Sequence, residues 1–141
     1  MEQISTISIG RSRLALLLLA SSVFAVGTEG LVFAGLLPAL SSDLGVSLGA
    51  AGQVTTVFAL CYAVFAPLLS MSTESLPRRT TLLIGLGLFV AGNALSATAP
   101  AYWCLLIWRA VTAAGASLIT PTATLIAASL ARPDGRARAI A

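Results

Sequence analysis

Two residues in this sequence carry charge where the surrounding chain is apolar: Glu29, in the run from Leu14 to Leu40, and Arg109, in the run that starts at Tyr102. A charged side chain held in hydrocarbon costs about 3 kcal/mol or more, so such residues persist mainly where they face a polar cavity or a partner and have work to do. A carboxylate so placed can exchange a proton with a substrate or a neighbouring group, and a guanidinium beside it relieves the desolvation of both. A static structural ion pair is the plainer alternative.

Periodicity gives each charge a setting. On a helix advancing about 100° per residue, Arg109, Ala113, Ala116 and Thr120 lie within about 40° of Tyr102, a stripe of polar and small side chains of the kind that lines a cavity. Around Glu29 the same-side neighbours are Ser22, Ala25 and Val26, with Gly27 and Gly30 flanking it. Small residues equally mark close helix packing, which is the commoner reason for any one of them. The candidate proton-coupling and substrate cavity is therefore Glu29, Arg109, Tyr102, Ala113 and Thr120.

Other chemistries find no residues to perform them. Histidine is absent, and Cys61 and Cys104 stand in apolar runs without CxxC spacing, so neither a metal site nor a redox motif is expected. No paired carboxylates and no nucleophile with a nearby base can be named, so the sequence predicts no enzyme and no cofactor. All 8 basic residues are arginines confined to a few loops and one helix, which gives a net charge of +3 but no basic face for nucleic acid.

The elements that position Glu29 and Arg109 follow from composition. Hydrophobic residues make up 57% of the chain and charged ones 9%, and the mean hydropathy is +0.96. A soluble domain carries about 25% charged residues, and a wet surface cannot be built from this inventory. A bilayer core about 30 Å thick takes roughly 20 apolar residues in a helix. The sequence offers four such stretches, at about 14–40, 52–71, 81–99 and 102–130. The expected fold is all-α: a polytopic membrane protein of four transmembrane helices, with residues 1–13 and 131–141 outside the membrane. Pro38 and Ser41-Ser42-Asp43 close the first stretch, Ser47 can cap the second, Ser72 to Arg79 separates the second from the third, and Pro100 separates the third from the fourth. Pro67 and Pro121 fall inside stretches, where bends without breaks are expected. The third stretch, punctuated by Gly85, Gly87 and Gly92 with Asn93 and Ser96 as its notable polar groups, reads as scaffold.

Arginine sets the orientation. Arg11 and Arg13 precede the first span, Arg78 and Arg79 follow the second, and Arg132, Arg136 and Arg138 follow the fourth, while the two remaining connections hold no Lys or Arg. The positive-inside rule then puts the N-terminus, the middle loop and the C-terminal tail in the cytoplasm, with the Asp43 loop and the Pro100 turn facing outward. A secretory signal is the rival for the first span, but its apolar run is too long and three spans follow it. On this topology Glu29 lies about 8 Å and Arg109 roughly 10 Å below the outer boundary, so an ion pair is open to them if the first and fourth helices are neighbours. Cys61 and Cys104, at about 14 Å and 3 Å, differ too much in depth for a disulfide.

The loop from Ser70 through Glu74 to Arg79 resembles the signature loop of the major facilitator superfamily, Gly-x-x-x-Asp-Arg-x-Gly-Arg-Arg. Glu74 stands at its acid and Arg78 and Arg79 at its terminal pair, while Ser70, Ser75 and Pro77 replace its first Gly, middle Arg and second Gly. Arg109 followed by Ala113, Ala114 and Gly115 is similar to the family's fourth-helix motif, often linked with proton coupling. Gly35-Leu36-Leu37-Pro38, Ala51-Gly52-Gln53 and Arg136-Ala137-Arg138-Ala139 resemble the bacterial drug:proton antiporter branch.

The resemblance implies twelve helices in two six-helix halves with substrate held between them, so this chain is expected to be part of the N-terminal half, inactive alone. It implies that Ser70, Glu74, Pro77, Arg78 and Arg79 form a cytoplasmic gate, and that the parent is a proton-coupled efflux transporter of small molecules. Its partners would be the lipid bilayer, substrate, protons and the remainder of the transporter. Two other functions fit four spans: a small-multidrug-resistance-type exporter acting as a dimer, and a non-transporting membrane assembly subunit whose buried charges dock another helix.

Overall fold

A computed structural model describes residues 2–130, with side chains from residue 13 onward; the side chain of Arg11 and the residues Arg132, Arg136 and Arg138 lie outside it. It contains four helices, α1 (Glu2–Asp43), α2 (Leu48–Ser72), α3 (Arg78–Ala97) and α4 (Tyr102–Leu130). All four are long and apolar enough to cross a membrane. Their outer faces carry Leu17, Phe24, Leu31, Val90 and Trp103 largely uncovered, a surface that hydrocarbon accommodates and water does not.

Helix ends follow from local chemistry more than from hydropathy. Pro38 does not close α1, which continues five residues further to Asp43, because the missing N–H of one proline removes one backbone bond and leaves its neighbours in place. The true stop is Gly45, at φ 61°, where the Gly45 and Val46 amides donate back to the Ser42 and Ser41 carbonyls in a Schellman arrangement. Ser47 caps α2 by accepting from the Ala50 amide, so the helix starts at Leu48, before the apolar run. The Pro77 carbonyl accepts from the Thr80 and Thr81 amides and starts α3 at Arg78. At its far end the Thr98 hydroxyl reaches the Leu95 carbonyl, and α3 stops at Ala97, two residues short of the sequence expectation. Both Pro67 and Pro121 are carried inside continuous helices.

The fourth helix is the axis of the bundle. It packs against each of the other three, most extensively against α3. Of its apolar stretch 56% is buried in protein, against at most 22% for the others, so α4 is the helix the other three enclose. Glu29 opposite Arg109 and Leu19 clustered with Ala123 and Ala127 set α1 antiparallel to α4. The contacts Tyr102 to Ala50 and Arg109 to Phe58 run α2 parallel to it. This alternation gathers Arg13, Arg78 and Arg79 at one end of the bundle and Asp43 at the other.

Glycine makes the α3–α4 seam possible. A Cβ on Gly115 would fall 2.7 Å from the Gly85 carbonyl oxygen, and one on Gly92 would fall 2.7 Å from the Thr112 amide nitrogen. Backbones this close exchange dispersion and polar contacts that side chains would prevent. A Cβ at Gly27 or Gly30 on α1 would meet nothing within 4 Å, so neither glycine is required by the packing among these four helices.

Candidate functional site

Arg109 projects from the first third of α4 and is fully buried, and Glu29 projects from α1 with only 7% of its surface exposed. The two meet in a charge-assisted hydrogen bond from Arg109 Nη1 to Glu29 Oε1. The guanidinium carbon also lies 3.9 Å from the ring centre of Phe33 and 4.5 Å from that of Phe58. A desolvated cation against an aromatic ring gains about 2 kcal/mol, so one residue from α1 and one from α2 help α4 to hold its charge.

The pair is incompletely satisfied. Among the described residues, Glu29 Oε2, Arg109 Nε and Arg109 Nη2 are buried without a hydrogen-bond partner, and so is Thr55 Oγ1 on α2, one turn before Phe58. A structural ion pair that stabilises a fold uses its remaining lone pairs and protons; this one holds three polar positions open. The arrangement can accept a proton on the free carboxylate oxygen, or hydrogen-bond a ligand through the free edge of the guanidinium.

The helical stripe on α4 does not gather into one site. Ala113 is fully buried, one turn beyond Arg109, but Tyr102 lies roughly 10 Å along the axis in one direction and Thr120 about 16 Å in the other. The Tyr102 hydroxyl is 2.9 Å from both the Ala50 carbonyl and Gln53 Oε1, tying the starts of α2 and α4 together. It has one proton for two acceptors, so the Gln53 amide must present its nitrogen to the phenol instead. The Thr120 hydroxyl turns back toward the Ala116 carbonyl at 3.5 Å. Periodicity groups these residues on one face of α4 but does not say that different helices cover different lengths of that face. Phe33 and Phe58 were missed, although Phe33 stands one turn from Glu29 on the same helix.

A second polar feature lies at the arginine-rich end. Ser70, Thr73, Glu74, Arg78, Thr81 and Thr122 line a pocket of about 230 Å³ between the α2–α3 loop and α4. Arg78 donates across it to the Leu125 carbonyl at 3.4 Å, which fastens the start of α3 to α4. Glu74 and Arg78 share the pocket without pairing; among the described residues the one ion pair is Glu29 with Arg109. Pro77 and Arg79 are exposed and do not line it.

A loop with an acid followed by two arginines, joining the second helix to the third, and a buried arginine in the fourth are a combination that can be compared across proteins. Residues 17–141 match the Major Facilitator Superfamily profile. The chain belongs to this superfamily. Among its superfamily relatives, the uncharacterized MFS-type transporter YbcL of Bacillus subtilis is 40% identical over 88% of this chain and 32% of its own length. The chloramphenicol resistance protein of Streptomyces lividans is 38% identical over 91% of this chain and 33% of its own. The inner membrane transport protein YdhP of Escherichia coli is 33% identical over 89% and 32%. The chain thus spans about a third of the length of these superfamily relatives. No solved structure matches it.

Proposed function

We propose that this chain is the N-terminal portion of a proton-coupled efflux transporter of small molecules in the bacterial inner membrane, with Glu29 and Arg109 as its coupling pair. The observation that carries this reading is the buried ion pair with one carboxylate oxygen and two guanidinium nitrogens left open. Proton and substrate then compete for one neighbourhood: a proton on Glu29 weakens its hold on Arg109, and a substrate group on Arg109 alters the site that the proton must enter. Such competition links the two bindings reciprocally, which exchange requires. The work is transport, with no chemical conversion of the cargo. Resemblance to a protein named for chloramphenicol resistance supports a small organic cargo and an outward direction.

In this reading residues 1–13 and 131–141 are cytoplasmic, and residues 14–130 cross the lipid four times. Ser70, Glu74, Pro77, Arg78 and Arg79 form the cytoplasmic gate, with Arg78 anchoring it to α4 through the Leu125 carbonyl. The remainder of the transporter completes the substrate path. The test of the function is proton-driven efflux from vesicles carrying the full-length protein that contains this segment: Glu29→Gln is expected to abolish it, and full retention would remove Glu29 from coupling.

Orientation has its own test. With basic residues retained on the cytoplasmic side, a cysteine placed at Ser42 is expected to react with an impermeant maleimide in intact cells, and one placed at Ser75 only after the membrane is opened. Labelling of Ser75→Cys from outside would reverse the topology and the gate with it.

A further inference from the structure

Arginine does not give up its proton inside a protein, so whenever Glu29 is neutralised Arg109 remains a cation within the hydrocarbon. Something other than the carboxylate must then hold it. Among the described residues no second acid is at hand: α2 carries no charged side chain, α3 has Arg78 and Arg79 at its start alone, and α4 has Arg109 alone. On α1, Arg13 and Asp43 stand at opposite ends of the membrane stretch. Arg109 is 0% exposed, so bulk water does not serve it either. What does touch the guanidinium is two aromatic rings, Phe33 at 3.9 Å and Phe58 at 4.5 Å from ring centre to guanidinium carbon. Neither ring depends on the proton for its place. Phe33 stands one turn beyond Glu29 on α1, so one face of that helix presents both the carboxylate and a ring to Arg109. Phe58 is stacked on Tyr62, one turn further along α2, with ring centres 6.2 Å apart and planes 26° from parallel.

We infer that Phe33 and Phe58 are positioning residues for the coupling pair: their ring faces hold the Arg109 guanidinium in place during the part of the cycle in which Glu29 carries a proton. The inference rests on the reading of Glu29 and Arg109 as the coupling pair and adds what keeps the pair assembled when one member is neutral. The negative face of a ring attracts a cation whatever the state of a neighbouring acid. While Glu29 is ionised, the carboxylate supplies most of the attraction and is itself repelled by the same ring faces, so the net contribution of the rings is small. Once Glu29 is neutral that repulsion is gone, and the rings are the main favourable contact left to the charge. Carboxylate and rings thus hold Arg109 by turns.

Fluorine drains the negative face of a phenylalanine ring in steps while leaving its shape nearly unchanged, so a fluorine series separates attraction to a cation from packing. The test uses purified full-length protein with 4-fluoro-, 3,5-difluoro- or 3,4,5-trifluorophenylalanine in place of Phe58, and in a second series in place of Phe33. The readout is the rate of heat inactivation at a fixed temperature. Glu29→Gln stands in for the protonated acid, and in that background the rate is expected to rise with each fluorine, to about tenfold across a series, since a desolvated cation–π contact is worth at least that factor. In the unmodified protein at alkaline pH the same series is expected to change the rate less than about threefold. In Glu29→Leu with Arg109→Met the cation is gone, and both series are expected to be flat. A flat series in Glu29→Gln, an equally steep one in the unmodified protein, or a slope that persists without the cation overturns the inference. Transport tells the two readings apart. Loss of gradient-driven transport in Glu29→Gln beside flat series leaves the coupling pair standing without its rings. Full transport by Glu29→Gln beside the expected slopes removes the coupling reading and, with it, the cycle in which the rings act.

Discussion

Glu29→Leu is expected to be among the most damaging single substitutions in this segment, because it strands a fully buried guanidinium that cannot shed its charge. Removing one partner of a buried pair costs about 3–5 kcal/mol, much of the stability of a typical domain. Arg109→Met should cost less, since the carboxyl left behind can become neutral by taking a proton, whereas arginine has no such escape. Replacing both, as Glu29→Leu with Arg109→Met, removes both charges and substitutes apolar side chains of similar length, so most of the lost stability should return. Transport should not return with it. The measurement is thermal stability of the detergent-solubilised full-length protein by size-exclusion chromatography after heating. A double variant no more stable than Glu29→Leu would mean that the two residues do not act as a pair.

The second large effect is expected at the α3–α4 seam. In Gly115→Val the new side chain is directed at backbone atoms of α3, the Gly85 carbonyl among them, and backbone cannot turn aside as a flexible side chain can. Overpacking typically costs about 1–3 kcal/mol, and here two helices must separate, so the upper end or beyond is expected. Gly87→Val on the same seam's far side is the matched control: nothing lies within 4 Å of a Cβ there, and the change should be close to neutral. Equal melting temperatures for Gly115→Val and Gly87→Val would contradict the close approach of the two helices.

How far the sequence shows this architecture depends on the range of the interaction concerned. The four helices are legible because hydrophobic runs report on each segment alone, and Ser47 as a cap is legible for the same reason. The first stretch reads to Leu40 with Pro38 and Ser41-Ser42-Asp43 closing it; α1 runs through Pro38 and ends at Asp43, and the Gly45 turn that stops it is a quieter local signal. The candidate pair itself rested on the cost of charge in hydrocarbon, which needs no tertiary knowledge. What covers that pair did need it: Phe58 reaches Arg109 from another helix, and no spacing in the chain relates residues 58 and 109. Likewise Gly85 and Gly92 read as scaffold, and their close-packed partners Gly115 and Thr112 emerge only once α3 lies along α4.

A coupling residue and a merely structural one differ in what survives their removal. Glu29→Gln preserves size and an acceptor oxygen for Arg109, so the site should stay assembled while losing its exchangeable proton. The decisive measurement compares two activities of that variant in proteoliposomes of the full-length protein: exchange of labelled for unlabelled cargo at zero gradient, and uphill transport driven by a pH gradient. Exchange should persist within about threefold of the unmodified protein and gradient-driven transport should vanish, because reciprocity between proton and substrate needs a group that titrates. Gradient-driven accumulation by Glu29→Gln at the unmodified rate would contradict the account, and so would loss of both activities together.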